Sequence, residues 1–561
     1  MKKATFSEHT LNLMKGFVLE NLEKFGKANS KAILGKLLGS NPDLKTKIEE
    51  LNKEIEKTIK EYSNLSKKEF KELHSKYTAH IIHPKVKKRV GLPELKELDR
   101  KYGFRFAPSP SGPLTIGHSI PLLLNSEYSK KYKGKCVLRI EDTNPSNISI
   151  DTYKSLQEDA NWITQNNITE VVIQSENIDT YYKYADELIS KGHAYVCNCK
   201  PEIWKEFVSK KEDCPCRNLK DQKERWNGML TTTPEGSTVL RIKTDMKHKN
   251  PAIRDWPAFR ITEETHPLVG KKYRVWPLMN FSVAIDDHES ELTHIIRGKD
   301  HITNAERQAY IFKYFDWWTP EYIHTGRINF EGIKVSASQF NKDIEDKKYT
   351  GRDDPKLPTV AAFKRRGIKA EAFIQYTHEV GPSKVDKTVS YEEFMKAIYA
   401  YNRTIIEPEA NRYFIIEDPI EIELTNLPDH LKAELPLHPN FPERGTRNFK
   451  KSNKFFVEKQ DNIKDKNYRL MHLCNFSAKD FKFISEKPDS KLKTKAIHWL
   501  PTNEETVKIL VKTPHGKDIQ AIGEPGLKHL KENQIVQFER KFFAKFDSID
   551  GDTYVFYETH K

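Results

Sequence analysis

At 561 residues the chain exceeds what one hydrophobic core supports, since cores stop growing near about 250–300 residues, and several domains are expected. A charged fraction of 31% and the lack of any apolar run of bilayer length exclude a membrane-embedded protein. Met1-Lys2-Lys3 leads into Thr, Ser, Glu and His rather than a secretory leader, so a cytoplasmic location with no membrane partner is expected. The net charge of +14, with 23 Tyr and 29 Phe available for stacking on bases, suits a polyanionic partner as well as plain solubility.

Residues 1–97 are rich in Lys and Glu and carry Leu51, Ile55, Ile59 and Tyr62 at helical spacing, which predicts a helical N-terminal extension with loops at 26–31 and 39–42. From 98 to 194, β-like runs at 136–140 and 171–173 alternate with helical ones at 152–162 and 181–189, the pattern of a parallel sheet. Residues 195–272 break that rhythm and read as an inserted module. The α/β pattern resumes at Trp276 and runs through Ile295-Ile296, so 273–335 is expected to be the second half of the same domain. Residues 336–415 read as helical, with Phe363, Ile368 and Phe373 ahead of Tyr391-Glu392-Glu393-Phe394-Met395. From 416 to 561 the period becomes two. Val507, Ile509 and Val511 alternate, and Asp550-Gly551 joins two apolar runs as in a hairpin, so β-barrels are expected. The fold class is thus multidomain α/β plus β.

Four of the six cysteines cluster as Cys197-x-Cys199 and Cys214-x-Cys216. Six in so long a chain do not make a disulfide framework, whereas four soft ligands on two knuckles suit tetrahedral Zn²⁺; the plain alternative is four free thiols. The segment Arg105-Phe106-Ala107-Pro108-Ser109-Pro110-Ser111-Gly112, followed by Thr115-Ile116-Gly117-His118, places a glycine and a histidine where a strand hands over to a helix, a position suited to phosphate. Glu331-Gly332-Ile333-Lys334-Val335-Ser336-Ala337-Ser338 follows the second half-sheet. Further on lie Trp276-Pro277-Leu278-Met279-Asn280-Phe281, Asp286-Asp287-His288, Arg297 before Gly298, and Asp353-Asp354-Pro355-Lys356-Leu357-Pro358-Thr359. Asp286, Asp287 and His288 taken alone suggest a metal triad, but neighbours on a strand point to opposite faces, so a structural role is expected.

The first of these segments resembles the RFAPSPTG...HIGH signature of class I aminoacyl-tRNA synthetases, most closely the glutamyl and glutaminyl enzymes. The lysine-bearing loop stands where their KMSKS loop belongs, and the helical start, the cysteine halves and the β-rich end resemble the archaeal-type glutamyl branch. The resemblance implies a Rossmann-type catalytic domain with an acceptor-end module, a helical stem-contact domain and an anticodon-binding barrel. It implies ATP held by Pro108, Thr115, Gly117, His118, Lys334 and Ser336, with His118, Gly117 and Lys334 in catalysis, and Mg²⁺ accompanying the nucleotide. Glutamate would be held by Arg105, Ala107, Ser109, Glu141, Met279 and Arg297. By resemblance, arginine at 297 marks glutamyl enzymes and a small residue glutaminyl ones, because a guanidinium fork matches a carboxylate and not an amide. Expected partners are tRNA(Glu), with tRNA(Gln) an open second substrate, for a monomeric ligase.

The departures matter. Thr115 replaces the first histidine of HIGH, Val335 and Ala337 replace a methionine and a lysine of KMSKS, and Met279 stands where a pocket tyrosine is expected. Losing one phosphate donor typically costs about 3–4 kcal/mol unless compensated. These departures make a catalytically impaired tRNA-binding relative one competing expectation; a glutaminyl enzyme of the same fold, against which Arg297 argues, is the other.

Overall fold

The computed structural model describes residues 6–81, 91–146, 148–461, 463–464 and 466–561. The opening Met1-Lys2-Lys3 and part of the expected N-terminal extension lie outside the described residues. Two compact units, 1–88 and 89–561, are taken separately.

In the first unit, α1 (Glu8–Phe25), α2 (Ser30–Ser40), α3 (Ile48–Tyr62) and α4 (Lys67–Thr78) pack Met14, Val18, Leu19, Ile33, Leu37, Leu51 and Ile55 into one core. Leu51, Ile55 and Tyr62 are buried as the spacing predicts, and Thr58 joins them. The expected loops are shorter than read: Ser30 and Lys31 already belong to α2, whose end holds Gly39 and Ser40. Ser66 starts α4 by accepting the Glu69 N–H while Glu69 reaches back, a reciprocal cap that replaces two missing helical partners.

The second unit is built on a parallel sheet. β1 (Gly103–Phe106), α5 (Ile116–Lys131), β2 (Lys135–Ile140), α6 (Ile150–Ile163), β3 (Glu170–Ile173) and α7 (Ile178–Ser190) form its first half, with strand order β1-β2-β3. An antiparallel four-stranded sheet then follows in the order β4 (Ala194–Cys197), β5 (Val239–Ile242), β6 (Pro257–Ile261) and β7 (Val275–Pro277), with α8 (Pro201–Lys210) and α9 (Gln222–Thr231) between β4 and β5. Trp276 was expected to reopen the parallel sheet. Instead it pairs with Arg260 and closes the antiparallel one.

After α10 (Met279–Glu289), β8 (His294–Gly298), α11 (Ile302–Tyr314) and β9 (Glu321–Thr325) complete the α/β core. The Thr293 N–H donates to Gly103 O at 3.0 Å, bringing β8 beside β1, so the three-stranded parallel sheet β3-β2-β1 and the parallel pair β8-β9 lie edge to edge. The chain reverses its winding between β1 and β8, and ligands of such sheets bind beyond the carboxyl ends at that point.

β10 (Ile328–Glu331) pairs with β11 (Lys387–Ser390), and α12 (Ala337–Glu345), α13 (Val360–Arg366), α14 (Ala370–Val380) and α15 (Tyr391–Ile406) pack around them. The remainder is β-rich. A seven-stranded sheet has strands 411–413 and 415–417 at its two edges; as these are consecutive in the chain, the sheet nearly closes into a barrel. In the expected hairpin, Asp550 pairs with Thr553 and Gly551 takes the left-handed conformation. A second cluster of strands between 419 and 501 surrounds Trp499, whose Nε1–H donates to Met471 O at 2.9 Å among Phe414, Phe449 and Phe455. Trp499→Ala removes a fully buried indole and is expected to cost this β region about 3–5 kcal/mol, read as a lowered midpoint of its unfolding transition by calorimetry.

Candidate functional site

Two adjoining cavities open at the reversal between β1 and β8. The smaller, of about 160 Å³, is lined by Arg105, Ala107, Glu141, Met279, Arg297 and His301, among others. The larger, of about 580 Å³, is lined by Thr115, Gly117, His118, Arg327, Lys334 and Lys387, among others. Pro121 and Gly298 border both, so they form the neck between them.

Tertiary contacts fix the floor of the larger cavity. The Ile116 N–H donates to Pro358 O at 3.0 Å and Val360 N–H to Leu114 O at 2.9 Å, so the 353–359 segment braces the start of α5. The Thr115 N–H donates to His118 Nδ1 at 3.3 Å. With Nδ1 used as an acceptor, the imidazole proton sits on Nε2, which leaves Nε2–H as a donor. Burial lowers the His118 pKa to about 4, so the ring is neutral near pH 7. A Cβ on Gly117 would meet only Thr115 Oγ1 at 3.6 Å; that side of the backbone is open for a ligand. Pro121 has no N–H to offer the Gly117 carbonyl one turn earlier.

The lysine loop closes over the same end. A Cβ on Gly112 would lie 2.2 Å from Ala337 O, so only glycine lets the two loops touch. Ser336 accepts the Gln339 N–H and caps α12, while Lys334 projects onto the cavity. Arg327 and Lys387 are two further cations there that sequence reasoning missed; their only signal was a position beside β10 and β11, which pair in space and not in sequence.

The smaller cavity is electrostatically asymmetric. Arg139 is fully buried against Asp287 (2.6 Å), Glu141 (3.0 Å) and Asp286 (3.7 Å). Burial opposes its charge, but these three acids hold its pKa above the ordinary value. Arg105 Nε also reaches Asp287 Oδ1, at 3.4 Å. Burial works against the Asp287 charge too, yet Arg139 and Arg105 outweigh it and keep the carboxyl below its usual range. Burial lifts Asp286 to about 6 against the pull of Arg139, with Tyr181 and Gln174 donating to it at 2.6 Å.

Arg297 is different. It is 8% exposed, and among the described residues no carboxylate lies within ion-pair distance. Its Nη2 donates to Gln308 Oε1 at 2.8 Å, its guanidinium carbon lies 5.1 Å from the centre of the Tyr322 ring, and its Nε has no hydrogen-bond partner among the described residues. Burial, then repulsion by Arg105, lowers its pKa to about 10. A buried cation in this state favours an incoming anion.

The structure therefore brings Arg105, Ala107, Glu141, Met279 and Arg297 to one cavity, and Thr115, Gly117, His118 and Lys334 to the other. Pro108, Ser109 and Ser336 line neither: Pro108 O accepts the Glu141 N–H at 3.0 Å, and Ser109 is exposed. The expected strand geometry at Asp286-Asp287-His288 is wrong. These residues lie on helix α10, where the acids turn toward Arg139 and His288 stacks on Trp317 with ring centres 3.6 Å apart. Alternation of faces was the wrong premise, although both carboxylates do serve as structural anchors.

Cys197 and Cys199 at the end of β4, with Cys214 and Cys216 around a short turn, form one cluster in which three of the six Sγ–Sγ separations are 3.3–3.8 Å. The four sulfurs all lie within 4.8 Å of one another. This is near the roughly 3.8 Å edge expected for a tetrahedron with about 2.3 Å metal–sulfur bonds, and too long for disulfides.

The architecture is thus a parallel α/β core with paired cavities at its reversal point, followed by a nearly closed β-barrel. Residues 102–407 match the family model "tRNA synthetases class I (E and Q), catalytic domain", and 410–496 and 496–547 match two models for the anti-codon binding domain of the same family. The chain belongs to this family of class I tRNA synthetases. Relatives named glutamate–tRNA ligase include those of Methanothermobacter marburgensis (38% identity, covering 98% of this chain and 99% of that one), Methanocaldococcus jannaschii (40%, 97% and 98%) and Pyrococcus abyssi (40%, 98% and 99%).

The partly buried His118 imidazole sets a pH dependence. Its folded pKa lies below the unfolded value, so its contribution to stability is complete above about pH 6.5 and is lost as pH falls toward 4. The stability difference between the native chain and His118→Gln is expected to shift against the native chain between pH 7 and 4.5, as measured by urea midpoints at the two pH values.

Proposed function

We propose that this chain ligates glutamate to tRNA, with the small cavity holding glutamate and the larger one ATP. The observation that carries the reading is Arg297: a buried guanidinium with no carboxylate at ion-pair distance among the described residues, facing a cavity of amino-acid size. The γ-carboxylate of glutamate supplies the missing counter-charge, and an amide would leave the cation unpaired. Arg105 and Glu141 flank the remaining polar ends of the substrate, with Ala107 and Met279 as apolar wall.

The α-carboxylate then points through the neck at Pro121 and Gly298 toward the nucleotide. Its oxygen forms a bond to the α-phosphorus as the bond to pyrophosphate breaks, giving glutamyl-adenylate. This step needs alignment and charge stabilisation and no protein nucleophile. His118 Nε2–H donates to phosphate oxygen from the helix start, Gly117 lets the phosphate approach the backbone, and Lys334 adds a mobile cation. Arg327 and Lys387 offset the donors missing at Thr115 and Ala337. Mg²⁺ carried by ATP neutralises further phosphate charge. The 2′-hydroxyl of the terminal adenosine of tRNA next attacks the activated carbonyl and AMP departs.

The antiparallel sheet of β4–β7 supports the acceptor end, the helices α12–α15 contact the stem, and the barrels read the anticodon. The four cysteines hold one structural Zn²⁺ that braces the turn between β4 and α9. The protein acts as a cytoplasmic monomer on tRNA(Glu), and separate charging of tRNA(Gln) with glutamate decides its breadth.

Arg297→Gln is expected to lower kcat/KM for glutamate by about 100- to 4000-fold, from an unpaired buried carboxylate worth about 3–5 kcal/mol; aminoacylation with radiolabelled glutamate and glutamine reads this. Tight tRNA binding without any glutamyl-tRNA in the unaltered protein would instead favour the impaired relative. Elemental analysis is expected to find one zinc per chain, and Cys214→Ser to lose it and lower the melting temperature.

A further inference from the structure

Beneath Arg297, on the side away from the cavity, lies a neutral amide pair. Gln308 on α11 is fully buried and accepts from Arg297 Nη2 at 2.8 Å through Oε1. Its Nε2 donates to Asn280 Oδ1 on α10 at 3.5 Å, and Asn280 is itself buried. The two bonds assign the amide: with Nε2 turned toward Arg297, two donors would face each other and Asn280 Oδ1 would face a carbonyl. Gln308 lines neither cavity, so any effect it has on a ligand passes through the guanidinium.

The contrast with Arg139 shows what the amide does. Both arginines are buried on strands of the α/β core, Arg139 on β2 and Arg297 on β8, yet Arg139 is met by three carboxylates and Arg297 by an amide oxygen. A glutamate at 308 would reach the same Nη2 and cancel the charge from within. A glutamine fixes the fork in place and leaves its charge unspent.

We propose that Gln308, oriented by Asn280, is a positioning and specificity-determining residue: it aims the Arg297 guanidinium at the substrate and, because it is uncharged, reserves that charge for an acidic side chain. This rests on the reading of the small cavity as a glutamate site.

The test compares the full chain with Gln308→Glu, Gln308→Met and Asn280→Ala in tRNA aminoacylation, measuring kcat and KM for glutamate and for glutamine. Gln308→Glu is expected to raise the KM for glutamate at least 100-fold and to shift the glutamate-to-glutamine preference by a similar factor. Gln308→Met, which keeps the volume and loses the aim, is expected to raise KM about tenfold with kcat within threefold. Asn280→Ala is expected to have a smaller effect in the same direction. Melting temperatures check folding, and the preference ratio is a readout that loss of folded protein does not move. If Gln308→Glu folds and keeps the native preference, the proposal is overturned. If it fails to fold, an unchanged KM in Gln308→Met overturns it instead. Failure of the underlying reading looks different: Arg297→Gln itself would leave the KM for glutamate unchanged, whereas an impaired Arg297→Gln beside unaffected Gln308 variants sinks the proposal alone.

Discussion

One carboxylate oxygen ties the catalytic crevice together. Asp287 Oδ1 receives Arg139 Nη1 and Arg105 Nε, joining α10 to β2 and β1 in the dry interior. Breaking such a buried arrangement leaves an uncompensated charge, so its parts hold one another in place. The third cation, Arg297, lies beyond ion-pair distance of Asp287 and of every other carboxylate among the described residues. The pocket thereby obtains both rigidity and a charge available to a ligand from a single set of buried groups.

The crevice is also held from the far side of the catalytic region. The 353–359 segment contacts the backbone at the start of α5, and Arg365 pairs with Asp353 at 3.0 Å and with Asp547 of the barrel at 3.2 Å. Arg366, fully buried beside it, donates to the Glu558 and Thr559 carbonyls. The helix that carries both arginines therefore links the seven-stranded sheet to the region that positions His118. Gly112 against Ala337 adds a contact that no larger residue would permit.

Much of the site was legible because its residues sit in short contiguous runs. Gly117 and His118 could be placed at a helix start, and Arg297 at a strand end, from local pattern together with the family resemblance. Local pattern failed where the period was ambiguous. The helix α10 is buried without a gap from Asn280 to Asp287, polar and apolar residues alike, and a helix buried all round has no periodic face to distinguish it from a strand. Trp276 was assigned to the wrong sheet because strand pairing is decided by partners far along the chain. Gln308, Arg327 and Lys387 carried no motif at all.

The amino-acid order by itself determined the alternation of strands and helices, the switch to period two, the cysteine knuckles and the identity of the groups available for chemistry, since these follow from side-chain type and near-neighbour spacing. Only the tertiary structure decided which charges are cancelled and which stay free. Arg105, Arg139 and Arg297 are the same residue type at similar strand positions. Their different roles arise from what α10 brings against Arg105 and Arg139 across more than a hundred residues of chain and what α11 brings against Arg297 from 11 residues on, and from burial, which makes each partner count.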